Sequence, residues 1–224
     1  KKEGIGVKAG EGVTISASDT SAIYSLAGGG SFAKDNAAIG IGISFNLIGN
    51  RVNAYVKNTA LVAKSLDIKS NMGAYIINIS AGGSMGKSTV NGSVSTNTII
   101  GEVLSYIDNS TITTTTHLKI EAINVADIGS IAGAVGDALE NAVGASLAIN
   151  YIGSLGSAFA PYKVAAYIND SDVTVTNGNM QIQAYSNAII KSISAVGSFA
   201  QGKAAVNGAM SFNYINMAIE SYIN

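Results

Sequence analysis

Residues 81–88 read AGGSMGKS, in which Gly86, Lys87 and Ser88 match the phosphate-binding pattern G-x-x-x-x-G-K-[ST] and Ala81 stands at its first glycine. A loop of that kind must open a helix whose first amides cradle the phosphate. Residues 89–100 read TVNGSVSTNTII instead, and their Thr, Val, Ile, Asn and Gly favour a strand. Nucleotide chemistry is therefore not expected. His117 is the only histidine, and no serine or carboxylate partner for a triad is marked in the sequence. Asp170 and Asp172, in INDSDV, have the oxygen-rich spacing that calcium favours, but the glycine-aspartate nonapeptide of calcium-binding β-rolls is missing. An exposed turn with capping side chains is the expectation there, with calcium as the alternative. No catalytic residue, metal ligand or cofactor-binding residue is assigned, and no cofactor is expected.

The elements that hold these residues must be built from an unusual composition. Hydrophobic residues make up 47% of the 224 and charged residues only 12%, about half the usual share, so most side chains are expected to be hidden. With 26 glycines and one proline, turns fall to Gly, Asn, Asp and Ser. The absence of cysteine excludes disulfides and thiolate chemistry. A net charge of −1 with scattered lysines offers no basic face, so nucleic acid is not an expected partner. Residues 141–162 carry no charge, yet Asn, Ser and Gly dilute them, and buried strands with a loop are expected rather than membrane insertion. The chain opens on KKEG, and any targeting segment is expected to lie outside it.

The sequence repeats. VTISA at 13, LDIKS at 66, LKIEA at 118 and MQIQA at 180 open four units with spacings of 53, 52 and 62 residues. IGIGISFN, VNGSVSTN, VGASLAIN and VNGAMSFN recur later in each unit and end on Asn46, Asn97, Asn150 and Asn213. Nine residues beyond stands a tyrosine, Tyr55, Tyr106 or Tyr222, whereas the third unit reaches Tyr167 only after 17. That difference places an insertion of eight residues within 153–163. The stretch AGGSMGKS falls in the same slot as three other glycine-rich corners, which accounts for it without phosphate.

Period-two alternation dominates, as in IGIGISF, LKIEA and MQIQA, so the units are strands and turns; GDALENAV at 136–143 allows at most a short helical turn. Columns of Ile, Val, Asn and Tyr at a fixed period predict an all-β parallel β-solenoid of about four repeats of 52–54 residues, with equivalent residues stacked one above another. The apolar columns beginning at Val13, Ile15, Ile23, Leu26, Ile39 and Ile43 are expected inside, and the asparagines are expected to bridge along their column. Whether each repeat is one broad coil or two smaller ones is open at this point. A β-propeller is the competing architecture, without a kelch or WD signature to support it.

The recurring VNGSVSTN and VNGAMSFN, SYIDNSTITT and AYINDSDVTV, and LKIEA and MQIQA resemble the repeats of large secreted bacterial exoproteins over residues 13–224. These are the filamentous-haemagglutinin-like adhesins, autotransporter passengers and, most closely, leukotoxin-type filamentous adhesins. The resemblance implies residues 1–224 as one solenoid segment of a longer, non-enzymatic protein at the outer surface of a Gram-negative bacterium, or secreted from it. Implied partners are a host-cell or bacterial surface protein or glycan, and adjoining repeats. The alternative is a β-helical carbohydrate-active enzyme, for which Arg51 is the only arginine and the carboxylates do not cluster. The tyrosine column is expected to serve the solenoid first, and the insertion, with Phe159, Pro161 and Tyr162, is the candidate ligand-contact loop.

Overall fold

The computed structural model describes residues 6–154 and 161–224. Among the described residues nine strands form one parallel sheet: β1 (Gly6–Lys8), β2 (Val13–Lys57), β3 (Ala60–Asp108), β4 (Thr111–Gly153), β5 (Tyr162–Asn169), β6 (Asp172–Val175), β7 (Asn179–Ala200), β8 (Ala204–Ile215) and β9 (Met217–Ile223). The molecule is an all-β parallel β-solenoid. Residues 136–143, whose sequence allows a helical turn, lie within β4.

Each strand pairs with the one a full repeat away. Val13 lies beside Leu66, Leu66 beside Leu118 and Leu118 beside Met180. One repeat is therefore one broad coil, which settles the choice left open by the sequence. A 45-residue strand far exceeds the usual length. It persists because the chain bends within the sheet while its amides keep bonding to the coils above and below, so no backbone group is stranded at the bends.

Each coil is flattened into two walls. The Ser70 hydroxyl donates to the Leu104 carbonyl at 2.7 Å and the Ser93 hydroxyl to the Ser80 carbonyl at 2.7 Å, so the first half of a coil faces its second half across the interior. We call residues 13–33 and their equivalents wall A, and residues 38–57 and theirs wall B. The corner after wall A varies in length and appears as register shifts between Ala33 and Ala37 and between Gly86 and Ser88. The first turn after wall B is uniform, with Asn58, Asn109 and Asp170 at left-handed φ of 53°, 47° and 46°, a conformation that Asn and Asp tolerate best among residues with a side chain. The next turn varies, with a register shift between Ala63 and Ser65.

The interior has two unlike halves. Near the start of wall A it is apolar, with Leu66, Ile68, Ile76, Leu118, Ile120 and Ile128 fully buried against Ile99, Val103 and Ile107. Toward the other end it is lined by Gly40, Gly42, Ser44 and Asn46 and their counterparts, and the walls almost touch. A Cβ on Gly82 would stand 1.9 Å from the Gly92 carbonyl oxygen, and one on Gly40 1.8 Å from that of Gly83.

This arrangement corrects half of the expected core. The columns from Val13, Ile15 and Ile23 point inward, but those from Leu26, Ile39 and Ile43 point outward, with Leu26 81% and Ile43 68% exposed. Alternation shows that two faces differ without showing which is inside. Here the glycine, serine and asparagine parity is inside, because only small side chains fit between the closed walls.

Candidate interaction surface

The asparagine column is structural and continuous. Asn46 Nδ2 donates to Asn97 Oδ1, Asn97 Nδ2 to Asn150 Oδ1 and Asn150 Nδ2 to Asn213 Oδ1, each at 2.8 Å. Registration at one repeat puts like amides about 4.8 Å apart, the separation at which each can donate and accept along the axis. Around them Asn78 donates to Ser44 and Ser95, and Ser95 and Ser130 lie 3.0 Å apart, which binds wall A to wall B by side-chain hydrogen bonds. The sequence marked the column; it did not mark these serines as its partners.

Tyr55, Tyr106, Tyr167 and Tyr222 form a ladder on the outside of wall B. Successive rings stack with centroids 5.0, 4.9 and 5.1 Å apart and planes within 9° of parallel. Beside them Lys57 Nζ lies 2.8 Å from Asp108 Oδ2, and Asn169 donates to Asp108 Oδ1. The Asn169 hydrogen bond and Lys57 together hold the Asp108 carboxyl below the usual range. Burial, then the neighbouring Tyr106 and Tyr222, push the Tyr167 phenol up to about 12, and burial likewise raises Tyr106. A folded pKa above the unfolded value gives stability that is complete below about pH 10 and is lost as pH rises through about 12. Thermal melting is therefore expected to fall across that window, and to fall less steeply in Tyr167→Phe, which keeps the stacked ring; equal slopes would refute the assignment.

The single residues singled out for chemistry are mostly engaged by the neighbouring coil. Residues 81–88 run through β3 with Lys87 at the corner, where its Nζ lies 3.3 Å from Glu140 Oε1. His117 does gain a partner that the sequence did not mark: its Nε2 lies 3.2 Å from Asp67 Oδ2, and Thr116 Oγ1 is 3.5 Å from its Nδ1. A Thr–His–Asp chain has the order needed for nucleophilic catalysis. The Thr116 hydroxyl, however, donates to the Lys64 carbonyl at 2.9 Å, and the His117 and Asp67 side chains lie at the surface. Asp170 occupies the left-handed corner that Asn58 and Asn109 occupy below it and accepts from Asn169 at 2.8 Å. Among the described residues no group of three or more His, Asp or Glu is placed to hold a metal ion. Arg51 Nε is 3.5 Å from Glu102 Oε1 on the surface.

The insertion lies where its length placed it. Ile100 pairs with Gly153 and Glu102 with Lys163, so one residue separates the pairs on β3 where nine separate them in the third unit. Of the candidate contact residues, Phe159 lies outside the described residues and Pro161 is exposed. Tyr162 requires a correction. Its ring is fully buried and its hydroxyl donates to the Met72 sulfur, in the space left by the missing side chain of Gly101. Burial raises its phenol well above the ordinary value. A side chain sealed into the core cannot touch a ligand, and Tyr162 instead anchors the return from the insertion.

Both flanks are exposed, and the outside of wall B has the longer uncharged stretch. Its residues 39–47, 90–98, 143–151 and 206–214 contain no Asp, Glu, Lys, Arg or His, and in each the outward positions are mainly apolar or aromatic. Tyr151 and Tyr214 add a second stacked pair at 5.8 Å. The architecture thus defines a solenoid of flattened coils that is polar at one end of its interior and apolar on its flank. No family model, no curated protein and no solved structure matches the chain.

Proposed function

We propose that the chain is a non-catalytic structural segment of a filamentous adhesin, secreted by or held on the surface of a Gram-negative bacterium. It extends the protein along the solenoid axis and offers repetitive flanks to a surface protein or glycan. Adjoining repeats of a longer chain are its neighbours along the axis. The observation that carries this reading is like stacked on like: Asn on Asn, Tyr on Tyr and Ile on Ile through successive coils. Such columns spread identical chemistry evenly along an axis, whereas catalysis needs unlike groups converging on one point. The likeness of the repeats to secreted adhesins supplies the surface location.

Beads coated with the chain are expected to capture cells or glycans, and to do so less well after Tyr106→Ala, which breaks the exposed ladder. Capture no better than beads coated with an unrelated protein defeats the adhesive reading. Depolymerisation of a polysaccharide by the purified chain supports the carbohydrate-active alternative instead.

A further inference from the structure

We infer that the outer face of wall B pairs two copies of this chain, sheet against sheet. This inference rests on the shape and composition of that face and is independent of the adhesive reading. Five outward columns cross four coils, beginning at Ile39, Ile41, Ile43, Phe45 and Leu47, and across all twenty positions the only polar side chains without a ring are Thr96 and Thr98. The opposite flank is less suited. The corresponding outward rows of wall A contain Asp137 and Lys191, which a dry sheet-to-sheet contact would bury.

The area is sufficient. Ten residues at about 3.3 Å by four strands at about 4.8 Å give roughly 600 Å² per copy. Both copies together bury about 1,200 Å², the lower bound of stable specific interfaces. The relief is self-complementary as well. Val94, Leu147 and Met210 form a ridge immediately beside a groove formed by Gly92, Ala145 and Gly208. A two-fold axis parallel to the solenoid axis, passing between these columns, seats each copy's ridge in the other's groove. That reciprocity is what an isologous contact requires. In the first coil Ile41 occupies the groove position, so the interlocking is confined to the other three coils, while the first coil contributes apolar contact area through Ile41 against the other copy's Ile43.

Sedimentation equilibrium tests the pairing. The chain is expected to dimerise reversibly, and Leu147→Lys, which seals a charge into the contact, to weaken association about a hundredfold or more. Gly208→Trp is expected to act similarly, because nothing lies within 4 Å of a Cβ at Gly208 and the indole fits a single copy while filling the groove. Ile131→Lys, on wall A, should leave association unchanged, and circular dichroism should report the same fold in all three variants. A monomer at high concentration overturns the inference. So does association indifferent to Leu147→Lys and Gly208→Trp, which would mean stacking through the coil edges. Flotation on phosphatidylcholine vesicles that Leu147→Lys abolishes, without dimerisation, would assign the face to lipid and also overturn it.

Discussion

Gly82→Ala is expected to destabilise the protein by about 3–5 kcal/mol, although it adds a single methyl group to a strand. The reason is the approach of the walls: the added carbon would lie 1.9 Å from the Gly92 carbonyl oxygen and 2.7 Å from that of Gly40. Neither neighbour is a side chain that can rotate away. To admit the methyl group the two walls must separate, which breaks the serine and asparagine bonds between them, including those of Asn78 with Ser44 and Ser95. The adjacent Gly83→Ala provides the control. Its Cβ points outward and would meet only the Val135 carbonyl oxygen at 3.8 Å, an ordinary contact. Relief of the glycine penalty in a strand makes that variant neutral or more stable by up to about 1 kcal/mol. Urea unfolding of the two variants should therefore move in opposite directions, and similar midpoints would show that the walls are not closed at this end.

The same contrast explains which parts of the fold were legible in the sequence. Registration was legible, because a 51-residue offset that aligns both Asn46 with Asn97 and Tyr55 with Tyr106 has no simpler cause than stacking. The eight-residue insertion followed from the late arrival of Tyr167. The side on which each column lies was not legible from hydrophobicity: Ile39, Ile43 and Leu26 look like core residues, and they are outside. A better signal was constancy of size. One inward column holds Gly42, Ser93, Ser146 and Ala209, small in every unit, whereas an outward position ranges from Ile41 to Gly92. A narrow interior restricts volume at every coil, and an open flank does not.

The candidate site was legible to a smaller extent. Tyr162 belongs to the insertion by sequence, but its fate depends on the absent side chain at Gly101 and on Met72 one coil below, a meeting of three segments that no local pattern records. The pairing of His117 with Asp67 has the same character, since it runs diagonally between coils and not along a column. Each coil adds only about 4.8 Å along the axis. Four coils therefore make a slab wider than it is tall, and its two broad flanks, more than its ends, are the surfaces available to a partner.

The second large effect is expected at Asn97. Its amide donates to Asn150 Oδ1, Ser95 and Ser130, and its carbonyl oxygen accepts from Asn46, all within the buried end of the coil. Asn97→Ala leaves the Asn46 donor and the Asn150 acceptor without their partner, between walls too close to admit much water. At about 1–3 kcal/mol for each orphaned buried group, the cost is about 3–4 kcal/mol. Asn213→Ala removes the last member of the same column, where the residue is exposed and water can replace it, so its cost should stay below about 1 kcal/mol. The gradient along one column is the decisive measurement. If the ladder is a cooperative element, urea midpoints rank Asn97→Ala well below Asn213→Ala; if stacking were only a by-product of backbone pairing, the two variants would unfold together.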